Sequence, residues 1–572
     1  MLSQNERRKY SFQEILKVFF LRDSAELGMV ILYGAFAGLC SLVVPVAVQT
    51  FVNTLGFGLL LQPILILSAI VFFVLTFSGI ASVLEVSVME LLQQRWFSRV
   101  SLEFAHRFTR IQVDAMRRTQ PSTLAAYFLD IATVQKTLSF LILDAAAVSL
   151  QVLFGMVLLA LYHPYFLIFD LLILAFIAVV FYGLKDPAIE SSIKESKAKY
   201  EASSWLAELG RDPLSFRSGE SRKLALGQMD DLSGHYVIAR KKHFKILLRQ
   251  IGGSALLQVL MSSLLLGAGG WLVIQRQLTL GQLVAAELVF GAVVAGISKY
   301  GKFLESYYDL HAAIEKIACV LNLPEENDGT EAFGPNSGEH AIVQVKAVGF
   351  INEFGHEVFK DLNFELIHDS ITAICGKSGS GKSTLAEFLY GVRTPSSGVI
   401  LAHGLDLKYR SLETLRSQWV WLGEAELFGG TLLANIRMGR DGIGFEQIQS
   451  VIRGLGQADW IESLPDGLMT RVSAGRFPLS SGQAKMILLA RALVGRPQLL
   501  ILDDFMDQLD SESLRTVVKF FKTGGYVSSV VFTSRNSDLC SSFDQIIFLP
   551  EGGVLGGEKS KKQTPSVTLK RG

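Results

Sequence analysis

The sequence predicts a membrane domain built only of α-helices, six of them spanning, followed by an α/β domain, and three observations carry that expectation. From Leu27 to Leu84 the chain runs 58 residues without an Asp, Glu, Lys, Arg or His, room for two spans of roughly 20 residues each. Four further apolar blocks follow, at about 138–162, 164–184, 251–275 and 281–298. Beyond residue 322 the composition turns polar, and short β-type runs then flank a glycine-rich loop.

Composition agrees with two units. At 572 residues the chain exceeds what one core fills, and 50% hydrophobic against 19% charged residues, with a mean hydropathy of +0.36, is too apolar for an ordinary soluble enzyme. The same figures exclude disorder, collagen and a secreted disulfide scaffold. Lys plus Arg number 54 against 53 Asp plus Glu, so no global charge draws nucleic acid, and no nucleic-acid partner is expected. Cys40, Cys319, Cys375 and Cys540 are scattered and form no CxxC or His-containing cluster. They read as small buried fillers in a reducing compartment, neither zinc ligands nor staples.

Before the first span lies a mixed polar segment, residues 1–26, with no cleavable-signal pattern. Spans one and two are separated by a turn marked by Asn53–Gly58 and Pro63. Loop charge orients the whole. Arg7, Arg8, Lys9, Lys17 and Arg22 precede span one; Arg95, Arg99, Arg107, Arg110, Arg117 and Arg118 lie between spans two and three; Lys194, Lys197, Lys199, Arg240, Lys241, Lys242 and Lys245 lie between spans four and five. Of Lys and Arg, the opposite loops hold Arg276 alone. Basic residues are retained on the cytoplasmic side, so both termini and the two long connections are expected inside a cytoplasmic (inner) membrane. Helical periodicity in Leu102, Phe104, Ala105, Phe108 and Ile111 predicts that the connections continue the spans as helices.

Asp144, Asp170 and Glu287 fall inside the apolar blocks, with Glu85 near the inner end of span two. Such groups are costly in a bilayer and face a partner or a cavity. A structural hydrogen bond or an interfacial position is the plainer reading; Glu287, deep in span six, is the candidate for a substrate or proton contact.

A polar linker, residues 323–340, leads to a domain from 341 to 555. The β-type run Ile371–Cys375 feeds Gly376-Lys377-Ser378-Gly379-Ser380-Gly381-Lys382-Ser383-Thr384, a GxxxxGK[ST] loop with a helix former behind it. Glycines let successive N–H groups turn toward a polyphosphate at a helix N-terminus, where the helix dipole favours anions. Gly376, Ser378, Gly379, Ser380, Gly381, Lys382, Ser383 and Thr384 are therefore the expected ATP-binding residues of an α/β P-loop NTPase domain. Lys382 would neutralise the β and γ phosphates and Ser383 would offer a hydroxyl to Mg²⁺. The apolar run Leu499–Leu502 ends in Asp503-Asp504, and a carboxylate at a buried strand's end suits a Mg²⁺-directing acid, Asp503. Upstream, Leu479-Ser480-Ser481-Gly482-Gln483 opens another helix and makes a second anion site. One nucleotide needs only one.

With these three motifs in order, the chain resembles an ATP-binding cassette (ABC) exporter half-transporter over nearly its whole length. The likeness extends weakly, through Gln277–Ala285, to peptide and type I secretion exporters. It implies that two such chains pair, each ATP lying between one cassette's phosphate loop and the other's signature, here Ser480, Gly482 and Gln483. It also implies coupling helices near Pro121–Asp130 and Trp205–Phe216. No peptidase domain precedes the spans, so leader cleavage is not expected.

The departures concentrate where the family acts on the nucleotide of its own loop. The catalytic glutamate position holds Asp504, the switch histidine position holds Ser534, and the Q-loop glutamine position holds Gly423, with Glu424 the nearest polar substitute. The adenine-stacking aromatic falls near Asn352, with Phe354 close by. Losing a base or a water-orienting group removes about 10²–10⁴ in rate and leaves binding intact. The resemblance thus implies an ATP-driven exporter subunit with a weak site of its own that completes a partner's site. A heterodimer is the expected pairing and a homodimer the alternative. The lipid bilayer surrounds it, and a periplasmic adaptor is a further partner. Peptide, protein or hydrophobic cargo is expected, with lipid or drug as the alternative; the competing reading is a regulatory or assembly subunit that does not pump. The polar tail, residues 556–572, is expected to be disordered.

Overall fold

The structure is a computed structural model that describes residues 10–57, 61–118, 121–326, 329, 341–352, 354–423, 426–472, 479–523, 525–541, 543, 545–549 and 567–569. It divides into two compact units, Met1–Glu325 and Glu326–Gly572.

The first unit is helical throughout. It begins with α1 (Phe12–Arg22), whose start is a capping box in which Ser11 Oγ accepts from Glu14 N while Glu14 Oε2 accepts from Ser11 N at 2.7 Å. Span one is two helices, α2 (Ser24–Ser41) and α3 (Val43–Phe57), broken at Leu42. Pro45 explains the break, since it cannot bond Ser41 and its ring crowds that carbonyl. Asn53–Phe57 remain helical, so the expected turn starts later than the sequence placed it. Pro63 sits in the first turn of α4 (Leu61–Phe108), where a missing N–H costs no hydrogen bond.

Short helices α5 (Val113–Arg118) and α6 (Pro121–Tyr127) follow. Then α7 (Asp130–Phe140) passes through a π-helical turn, Leu141–Ala145, into α8 (Ala146–Tyr162). Three rods complete the unit: α9 (Pro164–Arg211), α10 (Gly219–Ile274) and α11 (Leu280–Leu321). Each starts on a side-chain cap, from His163, Ser218 and Thr279 respectively. The expected cytoplasmic extensions are thus continuous helix in α4, α9 and α10. Among the described residues Ser24–Thr54, Leu61–Phe108, Thr123–Tyr162 and Gly219–Ile274 are long and apolar enough to cross a membrane, and Leu280–Val293 is a shorter apolar helix. Phe72, Phe73 and Phe77 stand out of α4 uncovered, which suits lipid as solvent.

Polar locks hold the rods. Asp23, buried between α1 and α2, accepts from Trp96 Nε1 at 3.2 Å and pairs with Arg99 at 3.1 Å, fastening that junction to α4. Farther along α4, Arg107 is buried and bonds the Leu323 carbonyl at 2.8 Å and Glu325. The intramembrane acids sit in different surroundings. Glu287 is exposed on α11, whereas Asp170 is buried with neither carboxylate oxygen hydrogen-bonded among the described residues. An i,i+3,i+4 helix face decides this, and residue depth along a span does not reveal which face is inward.

The second unit packs two sheets. β1 (Ala341–Ile351), β2 (Glu357–Ile367), β4 (Ser397–Ala402) and β5 (Leu405–Asp406) form an antiparallel sheet in the order β2-β1-β4-β5. The main sheet takes β3 (Ile371–Cys375), β6 (Trp419–Leu422), β9 (Leu499–Leu502), β10 (Ser529–Ser534), β11 (Gln545–Phe548) and β12 (Val567–Leu569), in the order β12-β11-β3-β10-β9-β6. All its pairings are parallel except β11–β12. A small ladder joins β7 (Gly430–Thr431) to β8 (Arg471–Val472). The helices are α12 (Lys382–Leu389), α13 (Leu412–Gln418), α14 (Leu432–Arg437), α15 (Phe445–Gly454), α16 (Ala458–Glu462), α17 (Ser481–Val494), α18 (Ser511–Thr523) and α19 (Ser537–Cys540).

The fully apolar run of β9 follows from its two covered faces. Leu499 and Ile501 join the core beneath the antiparallel sheet with Phe364, Leu385 and Phe388, while Leu500 and Leu502 face α17 through Leu489 and Leu493.

Two expectations are corrected here. Val567–Leu569 of the tail pair antiparallel with β11, because a short β-prone stretch meets an open sheet edge there. Cys375 and Cys540 are both buried and face each other, Cα atoms 6.5 Å apart, since the end of β3 packs beside α19. Cys40 is half-buried and Cys319 exposed, so neither is a buried filler.

Candidate nucleotide site

The phosphate loop emerges from β3, all five of whose residues are buried, and turns into α12. Gly379 and Gly381 take φ of +81° and +90°, the left-handed region that side chains avoid. A Cβ at Gly381 would stand 2.6 Å from the Phe359 ring, and one at Gly376 would stand 2.5 Å from Ser380 Oγ. The cradle therefore requires glycine at both positions. Ser380 Oγ is buried with no protein partner among the described residues, an orphan donor at the mouth of a helix end. Ser378 is exposed on the loop and Thr384 half-buried on α12.

Lys382 curls back over the loop, Nζ donating to the carbonyls of Gly376 at 2.8 Å and Lys377 at 2.9 Å. Burial pushes its ammonium below the usual lysine range, opposed chiefly by the Asp504 carboxylate. These are replaceable partners, and a triphosphate would offer charge in their stead. The loop thus fits a nucleotide phosphate chain.

Asp503 ends β9 beside the loop. Its Oδ1 accepts from Ser383 Oγ at 3.1 Å and from Thr533 Oγ1 at 2.8 Å, and burial raises its carboxyl above the ordinary value despite both bonds. The structure thus brings together the two residues expected at the metal. One carboxylate and one hydroxyl form a hard oxygen pair of the sort that holds Mg²⁺ jointly with substrate phosphates. Among the described residues no group of three His, Cys, Asp or Glu could hold a metal unaided.

Asp504 adopts φ +47°, a conformation that Asp tolerates better than most residues. Its N–H donates to Thr533 Oγ1 at 2.8 Å and its Oδ2 pairs with Arg535 Nη2 at 2.9 Å. The other oxygen, Oδ1, is buried and unpartnered among the described residues. Ser534 is fully buried at the end of β10, its Oγ donating to Asp507 Oδ1 at 2.5 Å and accepting from Asn536 N at 3.0 Å. Asp507 Oδ2 also accepts from Arg535 N at 2.8 Å.

The signature serine caps α17. Ser480 Oγ accepts from Gln483 N at 3.2 Å and Gln483 Oε1 accepts from Ser480 N at 2.8 Å, a capping box, with Gly482 in the first turn. Gly423 packs against the Trp421 ring, where a Cβ would meet it at 2.8 Å. Glu424 lies outside the described residues. Phe354 is 85% exposed, free of burial constraints, beside the turn that Asn352 Oδ1 organises.

Sequence reasoning missed Thr533, Asp507 and Arg535. Thr533 and Arg535 flank Ser534 and Asp507 lies three residues past Asp504, so their polarity close to residues already singled out was the available signal.

Comparison with known proteins converges on one kind. Residues 359–506 match the profile described as ABC transporter, and residues 27–209 that of the ABC transporter transmembrane region. The chain is 29% identical over 317 residues to the alpha-hemolysin translocation ATP-binding protein HlyB of Escherichia coli O157:H7, covering 54% of this chain and 44% of that one. It is 28% identical over 306 residues to the exotoxin translocation ATP-binding protein PaxB of Pasteurella aerogenes, covering 53% and 43%. The chain thus spans about half the length of the curated relatives it matches. A bacterial Atm1-family ABC exporter with ATP bound shares the fold, with a TM-score of 0.81 over 94% of this chain and 95% of that one at 20% identity.

Proposed function

The chain belongs to the ABC transporters, matched in its helical unit as their transmembrane region and in its second unit as their ATP-binding domain, and on that premise we propose that it is one half of an ATP-driven exporter of the cytoplasmic membrane. It binds ATP at a hydrolytically weak site of its own and lends its signature, Ser480, Gly482 and Gln483, to the site of a partner half-transporter. A heterodimer is favoured over a homodimer, because two copies would carry two weak sites. The distribution of Lys and Arg supports both termini and the ATPase domain on the cytoplasmic side.

One observation carries the reading. The two positions that would act on the attacking water are engaged elsewhere: Asp504 with Arg535, and Ser534 with Asp507. The phosphate-binding residues Gly376, Gly379, Gly381, Lys382 and Ser383 are all present. Lys382 would neutralise phosphate, and Ser383 with Asp503 would hold Mg²⁺, which would supply charge neutralisation on the phosphate chain. Closure of paired cassettes on ATP would drive the spans through the coupling helices expected near Pro121–Asp130 and Trp205–Phe216. Relatives named for hemolysin and exotoxin translocation support peptide or protein cargo, with a lipid or hydrophobic small molecule second. A periplasmic adaptor belongs to the protein-secretion version of this reading.

The test compares the purified chain alone and with a neighbouring half-transporter for Mg²⁺-dependent ATP turnover and vanadate trapping. Turnover that requires the partner, and is lost when the partner's catalytic glutamate is removed, supports the proposal. Brisk turnover by the chain alone sinks it. The same engaged acids favour a second reading, a regulatory subunit that binds nucleotide without pumping; cargo flux independent of this chain's presence would select it.

A further inference from the structure

Ser534 stands where the resemblance places the switch histidine, yet it is fully buried and its hydroxyl already serves Asp507 and Asn536. The next residue is placed differently. The Arg535 side chain is 59% exposed, and its Nη2 reaches Asp504 Oδ2 at 2.9 Å. Thr533 Oγ1 links the Asp504 N–H to Asp503, which holds Ser383 of the phosphate loop, so the Asp504–Arg535 pair is fastened beside that loop. A triphosphate seated on Lys382 would bring its terminal oxygens toward Asp504, and two anions there repel unless a cation joins them. A guanidinium can do so, because its planar fork carries five donors and can hold a carboxylate and a phosphate at once.

We propose that Arg535 is the terminal-phosphate contact of this chain's own nucleotide site, bridging the γ-phosphate to Asp504 in place of the contact Ser534 cannot make. The inference rests on the proposed reading of the site as ATP-binding and deepens it. Arg535 distinguishes triphosphate from diphosphate, and by pairing with Asp504 Oδ2 it restrains the carboxylate that stands at the catalytic position. ATP is thereby retained without being turned over.

The test measures binding, using the full chain in lipid nanodiscs with Mg²⁺ and either β,γ-imido-ATP or ADP. Arg535→Ala is expected to weaken the triphosphate analogue about ten- to a hundredfold while changing ADP affinity less than about twofold, and Arg535→Lys to fall between. If Arg535→Ala does not yield folded chain, Arg535→Gln, which keeps the stem and loses the charge, is expected to give the same selective loss. Equal losses for both nucleotides, or no loss for either, would overturn the assignment while leaving ATP binding standing. Absence of binding of both nucleotides to the unaltered chain would instead overturn the underlying site reading, and the assignment with it.

Discussion

Lys316 Nζ lies 3.1 Å from Asp130 Oδ2 and 3.8 Å from the centroid of the Tyr200 ring, whose hydroxyl donates to the same Asp130 oxygen at 2.8 Å. Three rods, α11, α7 and α9, meet in that contact. Both charged side chains are largely buried, at 11% and 6% exposure, so their mutual attraction is little screened by solvent. The pair also has a cation–π partner, which a lysine on a water-facing surface would gain less from.

Removing one member of such a buried pair strands the other. Asp130→Asn or Lys316→Met is expected to lower the stability of the helical unit by about 3–5 kcal/mol, and the double variant by less than the sum of the two. Thermal unfolding in a fixed detergent measures it. Additive losses would mean that the two residues act separately.

The same lysine sets a pH dependence. Burial first, opposed by Asp130, depresses the Lys316 ammonium to about 8 from 10.5. Between those values the unfolded chain binds more protons than the folded one, so this group's contribution to stability rises as pH rises through the window and is lost as pH falls through about 8. The destabilisation by Lys316→Met relative to the unaltered chain is therefore expected to be larger at pH 10 than at pH 7.5. A difference that shrinks with pH would contradict the burial of Lys316.

At the loop, Gly381→Ala meets both a positive φ and a ring 2.6 Å away. It is expected to abolish measurable nucleotide binding and to cost at least about 1–3 kcal/mol in cassette stability. Lys382→Ala should instead weaken ATP binding about a hundredfold or more with a smaller change in melting, since it removes a buried ammonium whose partners are the loop's own Gly376 and Lys377 carbonyls. Equilibrium dialysis with labelled nucleotide beside calorimetry separates the two effects.

Metal dependence follows from Ser383 and Asp503. Ser383→Ala is expected to raise the Mg²⁺ concentration needed for half-maximal ATP binding about tenfold, and Asp503→Asn to remove Mg²⁺ stimulation altogether. Titration of Mg²⁺ at fixed ATP measures both. Unchanged midpoints would move the metal elsewhere.

Catalytic repair tests the weak site directly. Asp504→Glu combined with Ser534→His is expected to increase ATP turnover of the chain alone by about tenfold or more. The longer acid can reach past Arg535, and the imidazole restores a donor at the end of β10. Steady-state phosphate release is the measurement, and an unchanged rate would show that these two positions do not limit hydrolysis.

Elements whose physics is local were legible in the order of residues. Charge-free stretches announced the spans because lipid tolerates little else, and the nine contiguous residues from Gly376 to Thr384 announced the cradle because its turn is made by neighbours in sequence. The run Leu499–Leu502 likewise disclosed a strand buried on both faces. What lay beyond reach was which residues distant in sequence meet in space, and which way a helix turns its polar side chains. Arg535 finds Asp504 across 31 positions and Tyr200 finds Asp130 across 70, while Glu287 faces outward and Asp170 inward on rods of similar composition. Side-chain chemistry is written in the order of residues. Its pairing is decided only when sheets and rods pack, because burial and proximity, not identity, set what each charge experiences.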